Sequence, residues 1–444
     1  MKKLLVILLA LVMLLAQVAC SQQGEKQEQD TPTKTEQTAA EPAGTDKEQP
    51  AEQPKEKVKI EYWSWISTIE GAVQEFNNSQ DEVEVVFTTV AHPDLTQKMT
   101  IALSAGVGAP DVFQMTQRHF SNYSSTEALY DMTNDVGDLI GEYAEGLQSI
   151  VKYNGKIYGL PVDISPGMFW YRADMFKEYG IPEIQTFSDI KKYGKQLRAQ
   201  GKYILPITTP AGTWACNMIA LLVQSRGGTI YTKDGQIVGN NKDLLAALKW
   251  IDEMLDEDIA ANLPHLTAEF WASLKNGDVA GWLFNMAEGA NIKKNMPELS
   301  GKWSVSSFPK WDDLDTHYTG FWGGTVMAIP AQSQKAKEAL KFVRWVAGTE
   351  EGQVAISKYS NLVPAFEKAK ANEFYSKGDE YFSGTNLYEK ILDTPAFYYF
   401  DWSVTEKVIG EQMDLMIAGQ ITPEQACDAI INNLASETGR SIAG

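Results

Sequence analysis

The sequence predicts an α/β fold in which a parallel β-sheet carries helices on its faces. From residue 57 onward, short β-branched runs alternate with segments whose apolar residues recur every three or four positions. Strand, helix, strand, helix and strand in this order are typical of a parallel sheet with crossover helices. The body that begins at Lys57 has about 388 residues, which is enough for two domains.

The first elements follow from the spacing of apolar residues. Residues 58–63 predict one strand, residues 83–90 a second, and the segment that begins at Pro110 a third. Two helices lie between these strands, and Gly106 is a typical stop for the second helix. The apolar faces that predict the helices are Ile69, Ala72, Val73 and Phe76 in the first, and Leu95, Met99, Ala102 and Leu103 in the second.

Later segments continue the pattern. Residues 279–284 predict a buried strand, and residues 333–349 predict an amphipathic helix. Thr422, followed by Pro423 and then by Gln425 at the third helical position, predicts a capping-box start for the last long helix. The chain therefore keeps its mixed α/β character to the end.

Two loops are predicted to lie at a binding edge of the sheet. In open parallel sheets, ligands collect beyond the carboxyl ends of the strands. Residues 64–67 follow the first strand and residues 114–118 follow the third, so both loops share this edge. Trp65, Gln114 and Arg118 are therefore candidate ligand contacts, although plain connections between strand and helix explain the same loops.

The first twenty residues predict export from the cytoplasm. Two lysines precede a run of thirteen apolar residues, 4–16, and the small Ala19 stands before Cys20. The run is shorter than the roughly 20 apolar residues that span a bilayer, and it is typical of a secretory signal. The segment resembles a bacterial lipoprotein signal, although Gln17 stands where such signals usually carry leucine.

We therefore expect residues 1–19 to be a signal peptide and Cys20 to be lipidated, with ordinary secretion and a free Cys20 as the alternative. Residues 21–56 contain no aromatic residue and no Ile, Leu, Val or Met. Such a segment cannot bury enough apolar surface to offset chain entropy, so residues 20–56 predict a disordered, lipid-anchored linker. The body is then expected at the extracellular face of the cell membrane, most naturally on a Gram-positive surface.

Composition argues against several classes of site. A formal net charge of −19 disfavours nucleic-acid binding, which requires a basic face. The four histidines are scattered singly and no Cys/His spacing of a metal site occurs, so we expect no metal and no cofactor. Cys216 and Cys427 lie in apolar stretches, and we expect buried free thiols rather than a disulfide.

The sequence also argues against an enzyme. It contains no GxSxG, HExxH or phosphate-binding-loop motif. A secreted glycosidase needs two carboxylates about 5–10 Å apart across one bond, and a chain with 58 acidic residues always offers candidate pairs. We therefore expect a binding protein.

The order of several short motifs resembles that of the family 1 extracellular solute-binding proteins. These proteins are the sugar receptors of ABC importers and include maltodextrin-binding protein. Each motif is weak alone, but the likeness covers essentially all of residues 57–444. The motifs are Tyr62-Trp63-Ser64-Trp65, residues 103–112, Tyr158-Gly159-Leu160-Pro161, residues 170–176, Gly323-Gly324 to Ile329-Pro330, and residues 419–426.

This resemblance implies the two-lobed, type II fold of periplasmic binding proteins, with a hinge between the lobes and the ligand in the cleft. It places the amino-terminal lobe at residues 57–164 with 323–364, and the carboxy-terminal lobe at residues 165–322 with 365–444. Crossings between the lobes are expected near residues 162–169, 319–324 and 362–366. The implied partners are a carbohydrate and a membrane permease driven by a cytoplasmic ATPase, and the receptor is expected to be a monomer.

The chemistry of sugars selects candidate ligand contacts from the matching segments. Aromatic rings cover the apolar C–H face of a pyranose, and carboxylate, amide and guanidinium groups pair with its hydroxyls. Asp163 either bonds a hydroxyl or caps the hinge, and Trp402 has a weaker claim than its neighbour Tyr398. The candidates are Trp65, Gln114, Arg118, Asp163, Trp214, Asn285, Glu288, Trp322, Tyr398 and Trp402, with Trp214 expected in a loop.

A polyamine or ferric-ion receptor on the same fold is the alternative. The adjacent Tyr398 and Tyr399 resemble the paired tyrosines of iron receptors. A polyamine site also needs aromatic rings, together with several carboxylates, so composition does not separate it from a sugar site. The tryptophan-rich loops favour a neutral, ring-shaped ligand.

Overall fold

The computed structural model describes residues 56–124, 126–210, 212–398 and 400–444. These residues belong to one compact unit. The predicted signal peptide, the predicted lipidation site Cys20 and the predicted linker up to residue 55 lie outside the described residues. In the part that is described, no helix is both long and apolar enough to cross a membrane.

Strands and helices alternate along the body, as the apolar spacing predicts. The strands are β1 Val58–Ser64, β2 Val83–Thr89, β3 Val112–Thr116, β4 Lys152–Tyr153, β5 Lys156–Ile157, β6 Leu160–Arg172, β7 Leu205–Ile207, β8 Ile237–Val238, β9 Ala260–Asn262, β10 Gly281–Asn285, β11 Trp303–Ser307, β12 Phe321–Ala328, β13 Val363–Pro364 and β14 Ile442–Ala443.

The helices cover the sheet and build the layers beside it. They are α1 Glu70–Ser79, α2 His92–Ala105, α3 Gln117–Ser124, α4 Thr133–Val136, α5 Glu145–Val151, α6 Ala173–Glu178, α7 Phe187–Arg198, α8 Gly212–Ser225, α9 Lys242–Asp256, α10 Ala268–Asn276, α11 Glu288–Asn295, α12 Ala336–Gly348, α13 Glu350–Ser360, α14 Trp402–Ile417 and α15 Pro423–Thr438. Short 3-10 turns are Ser67–Ile69, Ile140–Glu142, Pro297–Leu299, Glu367–Ala371, Glu373–Ser376, Glu380–Phe382 and Tyr388–Lys390.

The main sheet confirms the predicted parallel arrangement of the first three strands. Strand β1 pairs in parallel with β2 on one side and with β3 on the other. The order continues through β12 to β6 and β10, and β12 is antiparallel to β3. Because β1 and β3 point the same way, their carboxyl ends meet at one edge of the sheet.

Strand β6 runs through two parts of the sheet. Its first half pairs with β12 and β13, whereas its second half pairs with β10 and β11. All of its residues from Leu160 to Arg172 are buried. We call the part built on β1, β2, β3 and the first half of β6 the first lobe, and the part built on β10, β11 and the second half of β6 the second lobe.

The crossings expected from the sequence fall on β6, β12 and β13. Strand β12 has an irregular register against β6 between Phe321 and Gly324. Gly323 and Gly324 both have positive φ angles, of 91° and 84°, which side chains other than glycine rarely adopt. The exact boundaries of the lobes stay a prediction.

The second lobe is completed by a helical layer. Helix α8, which follows β7, packs against α9 and α14, and α14 packs against α15. Helix α15 begins with the predicted capping box, in which Thr422 and Gln425 bond each other's backbone N–H groups. Cys216 on α8 and Cys427 on α15 are buried and free, as predicted.

Candidate functional site

Trp65 stands immediately after β1, at the carboxyl edge of the first lobe. Its ring is half-buried and meets the His92 ring edge-on, with the ring centres 4.7 Å apart. His119 lies on the far side of His92, with 5.6 Å between ring centres. The small cavity between these rings has about 10 Å³, enough for about one water molecule. Trp65 is thus positioned by the first lobe and keeps part of its surface open.

Both histidines of this group are held in the neutral form. Burial lowers the pKa of His119 to about 4, and the nearby charges of Arg118 and His92 add to the effect. Burial and the Arg118 charge also lower the pKa of His92. At neutral pH the group around Trp65 therefore offers uncharged rings.

Gln114 and Arg118 do not share a loop, which corrects the prediction. Gln114 is fully buried within β3, and its amide oxygen accepts hydrogen bonds from the hydroxyls of Tyr62 and Ser64. Helix α3 begins at Gln117, so Arg118 lies in its first turn. Most residues of α3 are polar, including the buried Gln117 and Ser124, and its two apolar residues, Phe120 and Tyr123, are too few for their spacing to reveal a helix.

Asp163 is bonded inside the crossing strands rather than open to solvent. The Gln114 amide nitrogen donates to the Thr325 hydroxyl at 2.6 Å, and that hydroxyl donates to the Asp163 carboxylate. Burial raises the pKa of Asp163 to about 6, and the bonds from Thr325 oppose part of that effect. In this conformation the carboxylate joins β6 to β12.

Arg118 belongs to an aromatic group that extends into the second lobe. Its guanidinium carbon lies 5.1 Å from the centre of the Trp322 ring, a cation–π distance. The Trp322 ring lies 5.4 Å from that of Trp402, which is fully buried at the start of α14. Arg118 Nη1 also lies 3.4 Å from Glu406 Oε1. The structure thus brings three predicted residues together: Arg118, Trp322 and Trp402.

Glu406 was not among the predicted contacts. It follows Trp402 by four residues on α14, so the two side chains occupy one face of that helix. Burial raises the pKa of Glu406, and the Arg118 charge opposes this effect.

Trp214 lies in the first turn of α8 and not in a loop, which corrects a second prediction. The apolar segment that precedes Gly227 extends back to Gly212 as one helix, and Trp214 is buried.

Tyr398 is half-buried, and its backbone N–H donates a hydrogen bond to the Thr229 hydroxyl oxygen at 3.4 Å. Its predicted partner Tyr399 lies outside the described residues.

Asn285 and Glu288 shape the end of β10 in the second lobe. The Asn285 side-chain oxygen accepts from the Ser165 hydroxyl and from the backbone N–H of Ala287, both at 3.0 Å. Glu288 is the first residue of α11, and its carboxylate accepts a hydrogen bond from the side-chain nitrogen of Asn291 at 2.7 Å. Burial raises the pKa of Glu288. Both groups are therefore nearly covered, next to the segment where β6 passes between the lobes.

Two buried oxygen atoms at strand ends have no hydrogen-bond donor among the described residues. They are Gln117 Oε1, directly after β3, and Thr208 Oγ1, directly after β7. An unpaired buried polar atom costs about 1–3 kcal/mol, so water or a ligand hydroxyl is the natural partner. Neither residue was among the predicted ligand contacts, although Gln117 lies in the predicted binding-edge segment 114–118.

A larger cavity of about 360 Å³ adjoins the loop between β10 and α11. Its walls come from residues 286–293, from the end of α13 and from residues 374–388. None of the ten predicted ligand contacts lines this cavity. Over the same described ranges, no three His, Cys, Asp or Glu side chains are grouped to hold a metal ion.

Comparison with known proteins agrees with this architecture. Residues 71–382 match the model of the bacterial extracellular solute-binding protein family. The chain is 24% identical to the arabinooligosaccharide-binding protein of Bacillus subtilis, over 82% of this chain and 87% of that protein. It is 22% identical to the lactose-binding protein of Rhizobium radiobacter, over 76% of this chain and 81% of that protein.

A solved structure shows the same fold. The galacto-N-biose/lacto-N-biose I-binding protein of Bifidobacterium longum superimposes with a TM-score of 0.72 and 24% identity. The match covers 88% of this chain and all of that one. The predicted two-lobed α/β fold of periplasmic binding proteins is thereby confirmed. The chain belongs to the family of bacterial extracellular solute-binding proteins.

Proposed function

We propose that this protein is the receptor of an ABC importer, binding a mono- or oligosaccharide between its two lobes. Relatives whose names specify arabino-oligosaccharides and lactose support a carbohydrate ligand. The proposed receptor binds its sugar without chemical change, as a binding protein and not as an enzyme.

The observation that carries this proposal is the mixture of groups at the strand ends of both lobes. Trp65 keeps part of its ring exposed and supplies a face for the C–H surface of a sugar, whereas Trp322 is only 5% exposed and lies between Arg118 and Trp402. Arg118 supplies hydrogen-bond donors, and the unpaired oxygens of Gln117 and Thr208 are acceptors for ligand hydroxyls. Rings beside directed polar groups match a neutral, ring-shaped ligand with many hydroxyls.

In this proposal, closure of the lobes tells the permease that the receptor holds a ligand. A ligand that touches both lobes binds the closed form better, so it shifts the population toward that form. Closure also removes water from the cleft, where each unpaired polar group then costs about 1–3 kcal/mol. A sugar isomer that leaves Gln117 or Thr208 unpaired is rejected by that cost.

Anchoring and delivery complete the proposal. Removal of residues 1–19 and lipidation of Cys20 tether the protein, as a monomer, to the extracellular face of the cell membrane. The linker 20–56 lets the body reach a permease whose transport is driven by a cytoplasmic ATPase. The composition of residues 1–56 supports this part.

The test is a thermal-shift and tryptophan-fluorescence screen of the purified protein. The panel contains monosaccharides, arabino-oligosaccharides, lactose and other short oligosaccharides, together with spermidine and Fe³⁺. We expect saturable stabilisation by one sugar series, with no product formed. A response to spermidine or Fe³⁺, with none to any sugar, contradicts the carbohydrate proposal and supports the alternative receptors.

A further inference from the structure

One ion pair joins the two lobes beside the proposed ligand site. Arg118 is on α3, which packs against β3 and β12 in the first lobe. Glu406 is on α14, which packs against α8 and α15 in the second lobe. The contact between Arg118 Nη1 and Glu406 Oε1, at 3.4 Å, therefore spans the lobes.

The surroundings make this pair stronger than an ordinary surface ion pair. The side chains of Arg118 and Glu406 are only 21% and 20% exposed. Partial burial reduces screening by salt, whereas fully exposed pairs contribute little. The guanidinium also lies over the Trp322 ring, which holds the charged group at the junction of the lobes.

Within the first lobe, the Arg118 charge acts on the neighbouring histidines. Together with burial, it lowers the pKa of both His92 and His119. The Glu406 carboxylate, whose Oε1 lies 3.4 Å from Arg118 Nη1, comes from the second lobe. Separation of the lobes would therefore move Arg118 away from Glu406 and expose both charges to water.

We propose that Arg118 and Glu406 form an interlobe latch that favours the closed form before any ligand binds. The latch concerns the regulation of the proposed sugar site, and its effect on sugar affinity rests on the proposed function. A latch that raises the closed fraction raises the apparent affinity by the same factor, because only the closed form is competent for full binding.

The latch is tested by the distance between the lobes in the protein without ligand. Spin labels are placed by Lys98→Cys on α2 and Glu411→Cys on α14, two exposed positions in different lobes. The distance distribution is then measured by double electron–electron resonance. We expect Glu406→Gln to shift the population toward longer distances, by about tenfold in the ratio of open to closed forms.

Charge reversal and a matched control make the test specific. Arg118→Glu alone is expected to lengthen the distance between the two spin labels. Combining it with Glu406→Arg is expected to restore the short distance. Asp258→Asn removes the Arg198–Asp258 pair, which lies within the second lobe and measures 2.7 Å, and is expected to leave the distance unchanged. Circular dichroism verifies that each variant is folded.

The result that overturns the latch is an unchanged distance distribution in folded Glu406→Gln protein. This outcome is separable from failure of the proposed function, because the distance is measured without sugar. A longer distance with no response to any sugar supports the latch and contradicts the sugar receptor. Sugar binding together with an unchanged distance supports the receptor and contradicts the latch.

Discussion

At the scale of single residues, Trp65 combines a fixed position with an open surface. Its edge-on contact with His92 holds the ring at the end of β1, while the ring remains half-buried. Trp402, in contrast, is fully buried beneath Trp322 and contributes through the rings that it supports. Trp65 therefore has exposed ring surface, whereas Trp402 has none.

Trp65→Ala is predicted to weaken sugar binding about tenfold or more, because it removes a ring face from the ligand. Isothermal titration calorimetry with the sugar identified in the screen measures the change. Trp271→Ala is the matched control, since Trp271 is also half-buried but packs against Phe270 and Trp282 within the second lobe. Equal loss of affinity in both variants would contradict a direct role for Trp65.

The raised pKa of Asp163 predicts a specific dependence of the free energy of unfolding on pH. The folded protein raises the pKa of Asp163 from 3.8 to about 6, so its proton is bound more tightly in the folded state. Its contribution to stability is therefore complete below about pH 4 and is lost as the pH rises through 6. Relative to Asp163→Asn, the wild type is expected to lose roughly 2 kcal/mol between pH 4 and pH 7.

Urea unfolding of both proteins at pH 4, 5.5 and 7 measures this difference. Parallel stability curves for wild type and Asp163→Asn would show that the folded protein leaves the pKa of Asp163 near its ordinary value. They would contradict the buried position of the carboxyl group between β6 and β12.

The position of a residue relative to a strand could be predicted for Trp65, whereas contacts between distant parts of the chain could not be predicted. Trp65 could be placed at the carboxyl edge of the sheet because it directly follows an unmistakable strand. Glu406 could not, because its importance arises from contact with Arg118, nearly three hundred positions earlier in the chain. Gln114 was misplaced since its polar amide is satisfied by Tyr62 and Ser64 inside the sheet.

At the scale of elements, β12 joins the lobes through a pair of glycines. A Cβ atom at Gly324 would lie 2.5 Å from the Asp163 backbone oxygen and 2.7 Å from Gln117 Nε2. The positive φ angle of 84° adds strain for any other residue. Space and backbone conformation therefore both require glycine at this position of the crossing strand.

Gly324→Ala is predicted to destabilise the protein by more than Gly106→Ala. Gly106 also has a positive φ, of 71°, but a Cβ atom added there would have no atom within 4 Å, so only the backbone cost of about 1–2 kcal/mol applies. Gly324→Ala adds the close contacts with Asp163 and Gln117. Chemical denaturation of both variants measures the difference, and equal destabilisation would contradict the packing described for β12.

Elements with strong periodicity were predicted well from the sequence, and irregular ones were not. Strands β1 and β2 and the capped start of α15 match their predicted positions within one or two residues. Helix α3 was missed because polar side chains conceal its inner face. Strand β6 runs on through Pro166 and Gly167, which are typical of a break, because partners on both sides hold its backbone extended.

At the scale of the whole molecule, two lobes share crossing strands and face each other across the proposed site. The first lobe contributes Trp65, Gln117 and Arg118, and the second contributes Thr208 and Glu406. The family and the fold could be predicted from the order of weak motifs along the chain. The latch could not, because it depends on how closely the two lobes approach in space.

The most direct measurement of the central claim is hydrogen exchange with and without the sugar that stabilises the protein most. We expect slower exchange at the strand ends of both lobes, in residues 64–67 and 116–118 of the first and residues 208–210 and 285–288 of the second. A ligand held between the lobes protects both sets at once. Protection confined to one lobe, or to residues 374–388 of the 360 Å³ cavity, would contradict a carbohydrate site between the lobes.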